Sequence, residues 1–139
     1  MKNNNFWFTL FLSITMSISF NATAAEKSTE QTVIQPGGFV HSVYFWLKKP
    51  TSEVDRKAFE KHLTAFIDNS QYVKSKLIGT AAPSKRDVVD SSYTYALIVT
   101  FSSKEDQDKY QTEDVHLKFV KDAQHLWEKV VVYDAFNTL

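Results

Sequence analysis

The residue pattern predicts an α+β domain: an antiparallel four-stranded sheet with its helices on one side. Stretches with period-2 alternation and stretches with helical periodicity follow one another as strand, helix, strand, strand, helix, strand. The strand-like stretches are rich in Val, Ile, Thr, Tyr and Phe, which suit a pleated, half-buried surface. That order is the split βαβ, or ferredoxin-like, arrangement.

The first strand reads from Phe39 to Lys48 and is stopped by Lys49-Pro50. Ser52 followed by Asp55 resembles a capping box with Asp in place of Glu. A helix then runs to about Asn69, with Phe59, Leu63, Phe66 and Ile67 on one stripe. Val73–Thr80 alternates weakly as a second strand. The charged stretch Ala81–Ser92, containing Pro83, is a loop. Tyr93–Phe101 is a strongly β-prone third strand. Ser102 with Glu105, or Ser103 with Asp106, caps a short helix to about Tyr110. Thr112-Glu113-Asp114 caps a further helix ending near Trp127, and Val130–Phe136 is the last strand.

The folded unit is therefore expected at 39–136, preceded by two other segments. Residues 1–24 read as a secretory signal peptide: a charged start, an apolar run from Phe6 to Phe20, and Ala22-Thr23-Ala24 as the cleavage site after Ala24. The run of 15 residues is short of the ~20 a spanning helix needs. No stable membrane anchor is expected once it is cut, and the mature protein is expected in the periplasm or secreted. Residues 25–38 are polar, end in Pro36-Gly37-Gly38, and read as a flexible tether. The chain has no cysteine, so an exported domain must be held by core packing or by pairing with another chain. Sixteen basic and sixteen acidic residues leave no excess positive charge, which argues against nucleic acid as a partner.

Both faces of the strands are apolar. The first strand presents Phe39, Val43, Phe45 and Leu47 on one side and Val40, Tyr44 and Trp46 on the other. The third has Tyr93, Tyr95, Leu97, Val99 and Phe101 against Ala96 and Ile98. Helices cover only one face. The other would leave an apolar patch on the order of several hundred Å², which monomers rarely expose. A homodimer with its two sheets packed face to face as an α/β barrel resolves this.

Two histidines stand in this apolar pattern. His41 alternates with Phe39, Val43 and Phe45, and His116 shares a helical stripe with Phe119, Val120, Ala123 and Trp127. An unsatisfied imidazole in such a layer costs about 1–3 kcal/mol, so both are expected at a polar spot of a cavity or bonded to a partner within the core. His62 lies at the edge of its helix stripe and His125 on a charged side, the positions of boundary and solvated residues. No ligand cluster predicts a metal, and three glycines supply no phosphate loop; no cofactor is expected.

Phe39-Val40-His41-Ser42-Val43, Tyr93–Phe101, Tyr110 followed by Val115-His116-Leu117-Lys118-Phe119, and Trp127–Asp134 resemble the stress-responsive dimeric α/β-barrel (Dabb) family over nearly all of 39–136. The resemblance implies a dimeric ferredoxin-like barrel. It extends distantly to the plant olivetolic acid cyclase, a cofactor-free enzyme of that family. Its polar pocket positions fall on His41, Tyr95, Tyr110 and His116 here, and its apolar wall on Phe59, Leu63, Leu97, Phe119, Trp127, Val130 and Val132. The cyclase's third-strand histidine is replaced by Tyr95, a phenol with a reference pKa near ~10, so its activity is not carried over.

Three readings follow. The first is an exported stress-responsive homodimer binding a small apolar, phenolic or carbonyl ligand through those residues. The second is a cofactor-free lyase, cyclase or oxygenase-like enzyme in which His116, steered by Tyr110, shuttles a proton. The third is a structural stress protein with a filled cavity. A chamber of roughly 300 Å³ or more beside His116 favours the first two.

Overall fold

A computed structural model of the protein describes residue 34 and residues 37–138. The expected signal segment and most of the tether lie outside the described residues. The elements are β1 (Phe39–Leu47), α1 (Glu53–Asn69), β2 (Ser75–Gly79), β3 (Tyr95–Phe101), α2 (Lys104–Thr112), α3 (Asp114–Ala123) and β4 (Trp127–Phe136), with a 3-10 turn at Gln124–Leu126. One antiparallel sheet runs in the spatial order β2-β3-β1-β4. This is the split βαβ arrangement, with helices on one side.

Local chemistry sets the boundaries. Ser52 Oγ accepts from the Asp55 backbone N–H at 3.3 Å and starts α1; Ser103 does the same for Asp106 at 3.2 Å and starts α2. The expected cap of α3 is corrected. Glu113 occupies the cap position but makes no side-chain cap bond. Its carboxylate reaches instead to the Gln71 backbone N–H, at 3.3 Å. α3 also stops at Ala123, four residues earlier than its stripe predicts, and β4 begins at Trp127. The Leu126 carbonyl accepts from Lys48 N–H at 2.9 Å, and Trp127 already pairs with Leu47 across a bulge. β3 begins at Tyr95 because Thr94 serves the neighbouring strand: its N–H donates to Phe45 O and its hydroxyl accepts from Leu47 N–H. β2 is a shorter edge strand than its alternation suggested.

The core lies between sheet and helices. Phe39, Val43, Phe45 and Leu47 from β1 meet Leu97, Val99 and Phe101 from β3. Phe59, Leu63, Phe66 and Ile67 from α1 close over them, with Phe119 and Ala123 from α3. The helices stop short of β4, an edge strand. Val130 and Val132 are therefore 38% and 45% exposed although they share the helix-facing side. On the other face Val40, Tyr44 and Trp46 are only half-buried, and Leu77 and Tyr133 are exposed. No helix among the described residues is long and apolar enough to cross a membrane.

Candidate functional site

His41 is buried in β1, and the sheet register sets Asp134 of β4 directly opposite. His41 Nδ1 lies 2.6 Å from Asp134 Oδ1. A carboxylate only accepts, so the proton of this bond belongs to Nδ1. In the neutral ring that leaves Nε2 as an acceptor.

Tyr110, at the C-terminal end of α2, fills the space beside this imidazole. Its ring is 5.8 Å from that of His41, 4.9 Å from Phe101 and 5.2 Å from His116. Burial raises the Tyr110 phenol above its ordinary range, and the charge of Glu113 adds to this. It remains a protonated donor across working pH. His116, in the first turn of α3, packs its ring against Phe66 at 5.1 Å. Its Nδ1 is buried with no hydrogen-bond partner. Burial lowers its pKa, and the neighbouring His41 lowers it further, while the Gln111 backbone acts the other way without closing a hydrogen bond to Nδ1. His116 is therefore held toward the neutral form.

That shift makes stability pH-dependent. With the folded pKa below the unfolded value of 6.5, the unfolded chain takes up the proton first as pH falls. The contribution is fully present above about pH 6.5 and is lost as pH drops through the folded pKa. In urea titrations between pH 7.5 and 5, His116→Leu should flatten the acid decline relative to the unmodified chain. An identical slope in both would contradict the assignment.

A cavity of about 140 Å³ opens among these rings. It brings together His41, Tyr110 and His116 with Leu97, Phe119, Trp127, Val130 and Val132, all predicted. Val43, Phe45, Phe66, Gln111 and Val120 also line it. Three predicted residues lie outside that lining. Phe59 and Leu63 pack into the core beyond it. Tyr95 is corrected more sharply. Its hydroxyl donates to Glu60 Oε1 at 2.5 Å rather than to a histidine, and the Arg56 guanidinium sits 4.9 Å over its ring. Burial and the Glu60 bond both raise the Tyr95 phenol. The expected steering of His116 by Tyr110 is ring packing, with the planes 54° apart.

Asp134 was missed. It interrupts the inward row Val130, Val132, Phe136, and a lone carboxylate in such a row is the signal that could have found it. The cavity falls short of the roughly 300 Å³ that favours binding or catalysis over a filled core, and it has room for about one ring. His62 is half-buried and His125 exposed, as their positions predict. Among the described residues no group of three or more His, Cys, Asp or Glu side chains could hold a metal ion.

The topology, with a small ring-lined cavity under the helices, defines an α+β domain of the ferredoxin-like class. Within that class the chain belongs to the Dabb family, the stress responsive A/B barrel domain, whose family model matches residues 39–137. Hydroxynitrile lyase from Passiflora edulis is similar in fold, with 23% identity and a TM-score of 0.63 over 75% of this chain and 96% of that one. A Dabb family protein from Mesorhizobium loti has 20% identity and a TM-score of 0.62 over 73% and 97%. A dimeric protein of ferredoxin-like fold from Bacteroides fragilis has 18% identity and a TM-score of 0.59 over 76% and 100%. No match is found among curated protein sequences.

Proposed function

We propose that this protein is an exported homodimer that holds one small, largely apolar molecule with a carbonyl or phenol oxygen in the cavity under its helices. The observation that carries this reading is His116, which lines an apolar cavity and whose Nδ1 is buried without a hydrogen-bond partner. Leaving such an atom unsatisfied costs about 1–3 kcal/mol, and a ligand oxygen would remove that cost. Size follows from volume. An apolar protein cavity of ~150 Å³ takes up benzene, so about 140 Å³ suits a single ring such as phenol or benzaldehyde. Export rests on the signal-like segment 1–24. Pairing rests on the apolar outer sheet face and is supported by the dimeric Bacteroides relative.

A second reading is favoured by the bond between His41 and Asp134. That bond orients one imidazole beside a second, neutral one, an arrangement suited to moving a proton without a cofactor. The chain would then be a lyase, cyclase or oxygenase-like enzyme, and one fold relative is a lyase.

Native mass spectrometry of the mature protein, with thermal shifts across phenols and aromatic aldehydes, tests binding. At least one single-ring member should raise the melting temperature, and His116→Ala should weaken its binding at least about tenfold, a step equal to ~1.4 kcal/mol. A flat response across the panel would go against the reading. For the enzyme alternative, His116→Ala should abolish turnover.

A further inference from the structure

We infer that the cavity under the helices selects a hydrogen-bond donor, a phenol in preference to an aldehyde or ether built on the same ring, and that Asp134 is the positioning residue that sets this choice. This rests on the ligand-binding reading above and narrows its ligand class.

Sheet register starts the selection. β4 sets Asp134 opposite His41, and His41 Nδ1 donates to the carboxylate at 2.6 Å. A neutral imidazole carries one such proton, so Nε2 is left with a bare lone pair. His41 lines the cavity, and with Nδ1 engaged toward β4, Nε2 is the one ring nitrogen left for a ligand. Asp134 does not line the cavity; it acts through the His41 tautomer alone.

The other polar groups of the lining do not discriminate. Tyr110 stands edge-on to His41, with ring centroids 5.8 Å and planes 73° apart, and its hydroxyl can donate or accept. The Trp127 indole brings a donor. A donor is satisfied by any oxygen, whether phenol, aldehyde or ether. The Gln111 amide presents its oxygen or its nitrogen by turning over. His116 Nδ1 is held by no hydrogen bond and can meet a ligand either way. Among the described residues that line the cavity, His41 alone has its polarity fixed by a neighbouring side chain.

A phenol oxygen matches this lining. It donates its proton to His41 Nε2 and still accepts from Tyr110 or Trp127. An aldehyde or ether oxygen has only lone pairs, so at His41 it faces another lone pair and leaves the imidazole nitrogen unpaired. Sites with a fixed hydrogen-bonding group reject the analogue that lacks its partner far more strongly than apolar walls reject a change of size. Volume does not make this distinction. Phenol, benzaldehyde and anisole are each built on one ring, and about 140 Å³ admits such a ring.

Calorimetric titrations near pH ~8, where free imidazole is neutral, compare phenol, benzaldehyde, anisole and benzene as probes. Phenol should bind at least about tenfold more tightly than benzaldehyde or anisole. Nitrogen-15 spectra should show His41 protonated at Nδ1 and bare at Nε2, with the Nε2 signal moving as phenol is added. Asp134→Ala releases the proton to either nitrogen. The Asp134 side chain is 43% exposed on an edge strand, so the substitution leaves the core intact. In that variant the ratio of phenol to benzaldehyde affinity should fall at least about fivefold, while benzene, which reads only the apolar walls, keeps its affinity within about twofold. Equal binding of phenol and anisole by the unmodified chain would overturn the selection and leave the ligand-binding reading standing. So would a preference that persists unchanged in Asp134→Ala. Failure of all four probes to bind would remove that reading and the selection together.

Discussion

Phe59→Ala is expected to lower the free energy of unfolding by about 3–5 kcal/mol. Phe59 is wholly buried on α1, and four other rings surround it. Phe45 and Tyr95 lie at 5.0 and 4.9 Å, Phe119 and Trp127 at 6.2 and 6.1 Å. These come from β1, β3, α3 and β4, so the side chain couples α1 to most of the fold. Removing it leaves a cavity that those four elements cannot collapse independently. Val54→Ala, on the exposed side of the same helix, is the control and should change stability by no more than about 0.5 kcal/mol. Urea unfolding at one fixed protomer concentration measures both, because the proposed dimerisation would make stability concentration-dependent. A loss below about 1 kcal/mol for Phe59→Ala would contradict the ring cluster as the centre of the core.

Tyr44→Asp is expected to convert the proposed dimer to monomer, raising its dissociation constant by more than about 100-fold. Tyr44 sits near the middle of the outer sheet face, braced by Tyr93 and Tyr133, and lines no part of the histidine cavity. A carboxylate trapped there between two apolar sheets loses its hydration without gaining a partner. Because the helix-facing core is untouched, far-UV circular dichroism should stay close to that of the unmodified chain. Sedimentation velocity over a dilution series measures the outcome. Retention of the dimer would place the pairing surface elsewhere.

The sheet and helix order were legible because period 2 and period 3.6 alternate cleanly along this chain. Strand faces were legible within the strands: Phe39, Val43, Phe45 and Leu47 are buried where the alternation put them, while Tyr93, set by the same alternation beside Tyr95, precedes β3 and packs instead on Tyr44 and Trp46 of the opposite face. The errors fall where two periodicities agree on burial. Trp127 continues the stripe of α3 and also opens the alternation of β4, so side-chain pattern alone does not separate helix from strand there. Hydrogen bonding decides it, through Leu126 O and the Leu47 pairing. The site shows a similar division. Tyr110 sits in the polar helix Lys104–Thr112 and was reached only through the family resemblance, whereas His41 and His116 are polar residues in apolar rows. Tyr95 has the same pattern, yet Glu60 and Arg56 on the next element draw it elsewhere. Asp134 and Glu113 owe their roles to cross-strand register and to a loop backbone, contacts that no local spacing encodes.

A nitrogen-15 spectrum of the four imidazoles, recorded while a single-ring phenol is titrated in, tests the whole picture most directly. His41 and His116 should shift together and saturate with one ligand per protomer, leaving His62 and His125 in place. Movement confined to the two outlying rings, or none at any of the four, would show that no small molecule lodges beneath these helices.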